Sequence, residues 1–138
     1  MKPRFADAYY YLALLNRDDD GHDRAVSLSH QLRGPTVTTT WVLTEVADAM
    51  AAVGARLRCA AFIEDLQRNP LVVIQPPTQE LFDEGLGLYK RRADKEWSLT
   101  DCISFVVMRR RGLEEALTAD RHFEQAGFKA LLRQGPPS

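Results

Sequence analysis

Short runs of apolar and β-branched residues recur between longer stretches of helical period, and this alternation commits the chain to strand and helix units wound around a parallel sheet. The reading is a three-layer α/β/α fold with a central, mostly parallel sheet of four or five strands. Arg4 to Asp7 is expected as the first strand and Ala8 to Leu15 as a helix. The run Asp18-Asp19-Asp20-Gly21 then turns the chain into a second helix over roughly Asp23 to Leu32. Gly34-Pro35 stops that helix, Thr36 to Thr39 supplies a β-branched strand, and Thr40 caps a helix running to about Val53, with Gly54 as its terminator.

Arg56 to Arg68 continues as helix until Asn69-Pro70, and Leu71 to Ile74 is the clearest strand. After Pro76-Pro77, Leu81, Phe82, Leu86 and Tyr89 recur at near-helical spacing as far as the basic run Lys90-Arg91-Arg92. Ser98 to Arg111 is the most apolar helix: Ile103, Phe105, Val106, Val107 and Met108 point in nearly every direction, so it is expected to lie buried, with Gly112 as its C-terminal cap. Ala116 to Ala119 reads as a strand ending at Asp120, Phe123 to Gln125 as a single turn, and Phe128 to Leu132 as an edge strand.

The length of 138 residues suits one domain, expected over residues 1–134, with 135–138 as a flexible tail. Lys and Arg total 18 against 19 for Asp and Glu, so the net charge of -1 gives no global attraction to nucleic acid or to an anionic membrane. Two cysteines, Cys59 and Cys102, are neither a disulfide framework nor a zinc spacing, and reduced thiols in the cytoplasm are the plainer reading. Lys2 and Arg4 are followed by Asp7 rather than by an apolar core, so no secretory signal is expected, and no stretch is apolar enough to span a membrane.

Ligands of open parallel sheets bind beyond the carboxyl ends of the strands, and Asp7 and Asp120 fall at two such ends. Asp101 lies in the first turn of the buried helix, where exposed N–H groups and the helix dipole favour an anion. Each of these acids also suits a helix N-cap, and Ser98-Leu99-Thr100-Asp101 resembles a capping box with Asp in the place of Glu. Position alone leaves both readings open. Glu45 lies off the stripe defined by Val42, Leu43, Val46, Ala47 and Met50, which makes a solvated helix face its default.

The stretch SLTDCISFVVMRRRGLEEALTADRHFEQAGF, Ser98 to Phe128, resembles the C-terminal half of PIN-domain proteins, especially the VapC-type toxins of toxin–antitoxin pairs. Upstream, FADAYYYLALL resembles the family's opening strand with its acid at Asp7, and TTTWVLTEVADAM the helix that carries its Glu, here Glu45. The resemblance implies an acidic metal pocket built from Asp7, Glu45, Asp101 and Asp120, with Thr118 and Ser98 as supporting hydroxyls. Many members place a hydroxyl or Asn after the first Asp, where this chain has Ala8 and Tyr9.

The activity so implied is endoribonuclease hydrolysis of RNA phosphodiester bonds. Four crowded carboxylates need a cation, and oxygen ligands favour Mg²⁺ or Mn²⁺ over zinc. His22, His30 and His122 are expected on the surface or in packing roles. Arg56 with Arg58, Lys90 to Arg92 with Lys95, and Arg109 to Arg111 are candidate phosphate contacts, though solvated helix ends account for each cluster equally well. Tyr9 to Tyr11 and Trp97 fit core packing better than base stacking. The implied partners are an RNA substrate, a cognate antitoxin and a second copy in a homodimer. Two other classes compete: a receiver-like phosphoacceptor domain, which also gathers acids around Mg²⁺, and an inactive PIN-like module that binds RNA or protein.

Overall fold

The run Thr36–Thr39 forms β2 with every residue buried, which a strand rich in hydroxyls tolerates only where those hydroxyls find partners. Thr38 Oγ1 donates to the Ala6 carbonyl at 2.9 Å, and Thr39 Oγ1 accepts from the Val42 N–H at 3.1 Å. The first bond ties β2 to β1 (Arg4–Ala6), and the second caps α3 (Thr40–Ala49). The computed structural model describes residues 2–133. The expected tail at 135–138 and the domain limit at 134 lie outside the described residues.

The other elements are α1 (Ala8–Leu15), α2 (His22–Gln31), α4 (Arg56–Arg68), β3 (Val72–Gln75), α5 (Gln79–Arg91), α6 (Leu99–Arg110), β4 (Glu115–Leu117), α7 (Arg121–Gln125) and β5 (Lys129–Ala130). The five strands form one sheet in the order β3-β2-β1-β4-β5, and every pairing is parallel. The chain steps outward from β1 through β2 to β3, then returns to the other side of β1 for β4 and β5. Right-handed crossovers turn that reversal into two helical layers, α1 to α4 on one face of the sheet and α5 to α7 on the other. This is the expected three-layer fold, with the winding reversing between β1 and β4.

Helix α6 is buried along most of its length, as its all-round apolar character requires. Its Phe105 packs edge-on against Trp97 at 5.0 Å and Phe123 at 4.9 Å, and Phe123 in turn lies 6.3 Å from Phe5 of β1. Burying each ring contributes about 2 to 3 kcal/mol, so this stack joins α6 and α7 to the sheet. Gly112 ends α6 with φ +67°, and the Leu113 N–H reaches back to the Met108 carbonyl at 2.8 Å. No helix among the described residues is long and apolar enough to cross a membrane.

Several boundaries differ from the sequence reading. α3 stops at Ala49 rather than Val53, because the Met50 N–H is shared between the Val46 and Ala47 carbonyls and the residues beyond it turn away. Val53 is 94% exposed, so no apolar contact sustains another turn. α5 begins at Gln79, capped by the Thr78 hydroxyl on Leu81 N–H at 3.2 Å. α7 begins at Arg121 rather than Phe123, and β5 is shorter than expected, although the Leu131 and Leu132 N–H groups still bond to the Ala116 and Thr118 carbonyls at 3.0 Å each.

α5 and α6 approach closely at the buried Gly85, where an added methyl would stand 3.2 Å from the Ile103 Cα and overlap the Ile103 side chain. Gly85→Ala therefore destabilises the protein by about 1 to 3 kcal/mol, because overpacking outweighs the gain in helix propensity. Urea denaturation checks this, and an unchanged or raised midpoint would show that the α5 and α6 contact is looser than described.

Candidate active site

Ala6 and Leu117 are register partners in the β1 and β4 pair, so the next residues, Asp7 and Thr118, emerge together where the winding reverses. Thr118 is fully buried. Its hydroxyl donates to Asp7 Oδ2 at 2.9 Å and accepts from the Asp120 N–H at 3.1 Å, so one group fixes two acids. Ala8 offers no hydroxyl, and the one that meets Asp7 is that of Thr118 at the end of β4.

The capping and site readings of the acids turn out to be compatible for two of them. Asp101 sits in a true capping box, with its N–H donating to Ser98 Oγ at 3.0 Å and its Oδ2 accepting from the Ser98 N–H at 3.3 Å. Asp120 caps α7 by accepting the His122 N–H at 2.9 Å. Asp7 occupies the N-cap of α1 but makes no cap bond, and its carboxylate turns to Thr118 instead. Asp7 is only 6% exposed, an expensive position for an acid that caps nothing.

Glu45 projects from the flank of α3, partly buried, beside the stripe formed by Val42 and Val46. Asp7, Glu45, Asp101 and Asp120 line one cavity of about 470 Å³ together with Ala8, Tyr9, Glu96, Ser98, Ala119 and His122. The four expected acids and Ser98 share the wall of this cavity, with Thr118 beneath Asp7. The periodicity default for Glu45, a solvated face, is corrected, because that flank of α3 overhangs the carboxyl ends of the strands.

Crowding and burial act together on these groups. Burial, opposed by the Thr118 hydrogen bond and reinforced by the Asp101 charge, lifts the Asp7 carboxyl to about 7. Burial and then the charges of Asp7, Asp101 and Asp120 lift Glu45 to about 7. Asp101 is also raised, by burial and by Asp120, against the lowering effect of the Ser98 N–H and of His122.

His122, expected on the surface or in packing, is partly exposed and lines the wall of the acidic cavity. Its Nδ1 stands 3.4 Å from Asp101 Oδ2 and 3.3 Å from Asp120 Oδ1, buried and with no hydrogen-bond partner. Among the described residues, Asp101, Asp120 and His122 place one ligand atom each within 4.8 Å of one another. Carboxylate oxygens around an orphaned imidazole nitrogen are a donor set that fits a divalent cation, and the proton-retaining acids beside it are what such a charge would relieve. The signal for His122 was present as Asp-x-His across a strand-to-helix junction; Glu96 carries no comparable signal. His22 and His30 behave as expected, the first with Nδ1 2.7 Å from the Ala13 carbonyl and the second exposed.

None of the basic clusters lines the cavity. Arg110 pairs with Glu80 and Glu84 of α5, Arg111 donates to Gln75 Oε1, and Arg109 donates to the Ala126 carbonyl and lies over the Phe128 ring. Arg56 and Arg58 donate to the Ala51 and Leu15 carbonyls. Tyr10, Tyr11 and Trp97 are core residues, while Tyr9 reaches the cavity wall.

A parallel sheet with buried acids gathered at its switch point defines an α/β domain with an acidic site. A family model for the PIN domain matches residues 5–129, and the chain belongs to the PIN domain family. It is 29% identical over 125 residues to the 23S rRNA-specific endonuclease VapC20 of Mycobacterium tuberculosis, covering 90% of this chain and 94% of that one. The crystal structure of VapC20, described as a Sarcin-Ricin loop cleaving toxin, matches with a TM-score of 0.82 at 27% identity over 90% of this chain and 95% of that one. FitAcB from Neisseria gonorrhoeae shares the fold with a TM-score of 0.65 at 16% identity, over 91% of this chain and 94% of that one.

An acid whose pKa rises on folding keeps its proton longer in the native state than in the unfolded chain. Stability from Asp7 and Glu45 is therefore greatest at low pH, declines from about pH 4 to about pH 7, and levels off above that. In EDTA at pH 8, Asp7→Asn is expected to be more stable than the parent by about 1 to 3 kcal/mol, with the difference vanishing near pH 4. Paired urea titrations across this range measure it, and a variant less stable than the parent at pH 8 contradicts the electrostatic account of the site.

Proposed function

We propose that this chain is a divalent-metal-dependent endoribonuclease and the toxin of a toxin–antitoxin pair. One observation carries the reading: acids from four separate stretches of sequence, Asp7, Glu45, Asp101 and Asp120, converge on one cavity at the switch point of the sheet. The likeness to the 23S rRNA-specific endonuclease VapC20 supports RNA as the substrate class. Asp7, Asp101 and Asp120 would hold Mg²⁺ or Mn²⁺, with Glu45 completing the set from the open side. When bound, such an ion supplies a nucleophilic water at neutral pH and stabilises the charge that develops on the leaving oxygen.

The chain's own residues supply the rest. Thr118 holds Asp7 and Asp120 in one orientation, so the acids need not reorganise as phosphate enters. Glu45, partly open to solvent on the cavity wall, would be the carboxyl available to take up a proton there. No covalent nucleophile is needed, because the cavity wall holds neither Cys nor Lys and the Ser98 hydroxyl is committed to its capping box. The absence of Lys from that wall likewise leaves a receiver-like phosphoacceptor without the group that reads its phosphoaspartate. A cognate antitoxin and a homodimer belong to the same reading as partners.

Purified protein incubated with structured RNAs is expected to cleave with Mn²⁺ or Mg²⁺ and to stop in EDTA. Asp101→Asn removes a charge worth several kcal/mol in the transition state, so its rate is expected to fall about 100-fold or more. Expression without the antitoxin is expected to arrest growth, and Asp101→Asn to relieve the arrest. RNA retained without cleavage would mark an inactive binding module, and acid-labile phosphorylation of an Asp would mark a receiver.

A further inference from the structure

The acids expected in this site are accounted for by caps, by Thr118 and by the cation they would share, but the imidazole of His122 is not. α7 fixes this residue from its backbone, whose N–H donates to Asp120 Oδ1 at 2.9 Å. The side chain then lies inward with Nδ1 3.3 Å from that same oxygen and 3.4 Å from Asp101 Oδ2. No N–H to oxygen bond is made at either separation, and Nδ1 is buried with no other partner. A neutral imidazole that keeps its proton on Nε2 presents the Nδ1 lone pair to these two oxygens, an arrangement that a cation between them would stabilise. Ligands held about 2.1 Å from one ion are about 3.0 to 3.4 Å from each other, whether the ion is octahedral or tetrahedral, which is the separation of Nδ1 from each of the two oxygens, and all three atoms lie within 4.8 Å of one another.

We propose that His122 is itself a metal ligand, and that its nitrogen biases the site toward Mn²⁺ over Mg²⁺. The inference rests on the metal-dependent reading of the site and adds a residue and a selectivity to it. Mg²⁺ is a hard ion that keeps its waters and prefers oxygen, whereas imidazole binds transition ions with increasing strength from Mn²⁺ onward. A site of carboxylates alone has little reason to separate the two ions. Replacing one oxygen donor by imidazole gives Mn²⁺ an advantage that Mg²⁺ cannot share.

The test reads ion binding directly, on the full chain without RNA. Mn²⁺ affinity is measured by the electron paramagnetic resonance of free Mn²⁺, and Mg²⁺ affinity by calorimetry, for the parent and for His122→Asn and His122→Phe. His122→Asn offers an oxygen in place of nitrogen, and His122→Phe keeps the ring volume without a donor. We expect both to weaken Mn²⁺ by about tenfold while Mg²⁺ changes by less than about threefold. In the parent loaded with Mn²⁺, spin-echo modulation is expected to show nitrogen coupled to the ion, a readout independent of how well either variant folds.

Absence of that nitrogen coupling, or equal weakening of the two ions, overturns the inference and leaves the nuclease reading intact. If the parent binds neither ion, the metal-dependent reading falls and takes this ligand with it. RNA cleavage that needs Mg²⁺ alone, with Mn²⁺ binding no tighter than Mg²⁺, also overturns the selectivity.

Discussion

Several carboxyl groups drawn out of water into one cavity repel each other, and the architecture around them is arranged to keep that repulsion from scattering them. The largest restraint is the buried Thr118 hydroxyl, which donates to Asp7 and accepts from the Asp120 backbone. Further restraint comes from helix ends, since Asp101 and Asp120 each accept a backbone N–H at an N-terminus and so gain from the local dipole. These bonds moderate the strain without removing it. Asp7 and Glu45 still hold their protons to about pH 7, the sign of a site whose complement is a positive charge.

The placement of that site follows from topology. Because β1 sits at the centre of a parallel sheet, the chain leaves it for β2 on one side and arrives at β4 on the other. The crevice so created is bounded by α3 from one crossover and by α6 from another, and these two helices touch. α6 serves two structures at once: Phe105 locks it into the aromatic stack of the core, while Asp101 at its first turn faces the cavity. Core packing thereby sets the position of a site acid with the stiffness of a close-packed interior.

Much of this was legible in the residues. The β-branched runs marked β2 and β3 and the helical period marked the longer helices, because those elements bury a face large enough to leave a pattern, while β1, β4, α7 and β5 were located by short apolar runs and their turn signals. Lengths were less legible: nothing local reveals that the Met50 N–H is shared between two carbonyls, and β5 is only a short segment beside β4. Asp7, Asp101 and Asp120 were visible as strand-end and helix-start acids, yet sequence could not separate cap from site. The separation needed the observation that Asp7 caps nothing. Glu45 entered through family resemblance alone, since helical periodicity assigns it to solvent and only the overhang of α3 brings it inward. His122 escaped because α7 is five residues long, too short for any period to mark which side faces the acids.

The two ends of this fold differ in how much change of chain length they can absorb. Between Leu117, locked in register with Ala6, and Asp120, at the cap of α7, only Thr118 and Ala119 intervene. One residue added or lost there would either turn the Thr118 hydroxyl away from Asp7 or shift Asp120 and His122 from the cavity, dismantling the site while leaving the sheet standing. The link from α3 to α4, with Val53 and Gly54 fully open to solvent, faces no such restriction. Insertions and deletions are therefore free to accumulate at that corner and are barred from the β4 to α7 junction, so the spacing of Thr118, Asp120 and His122 is as much a part of the machinery as the side chains themselves.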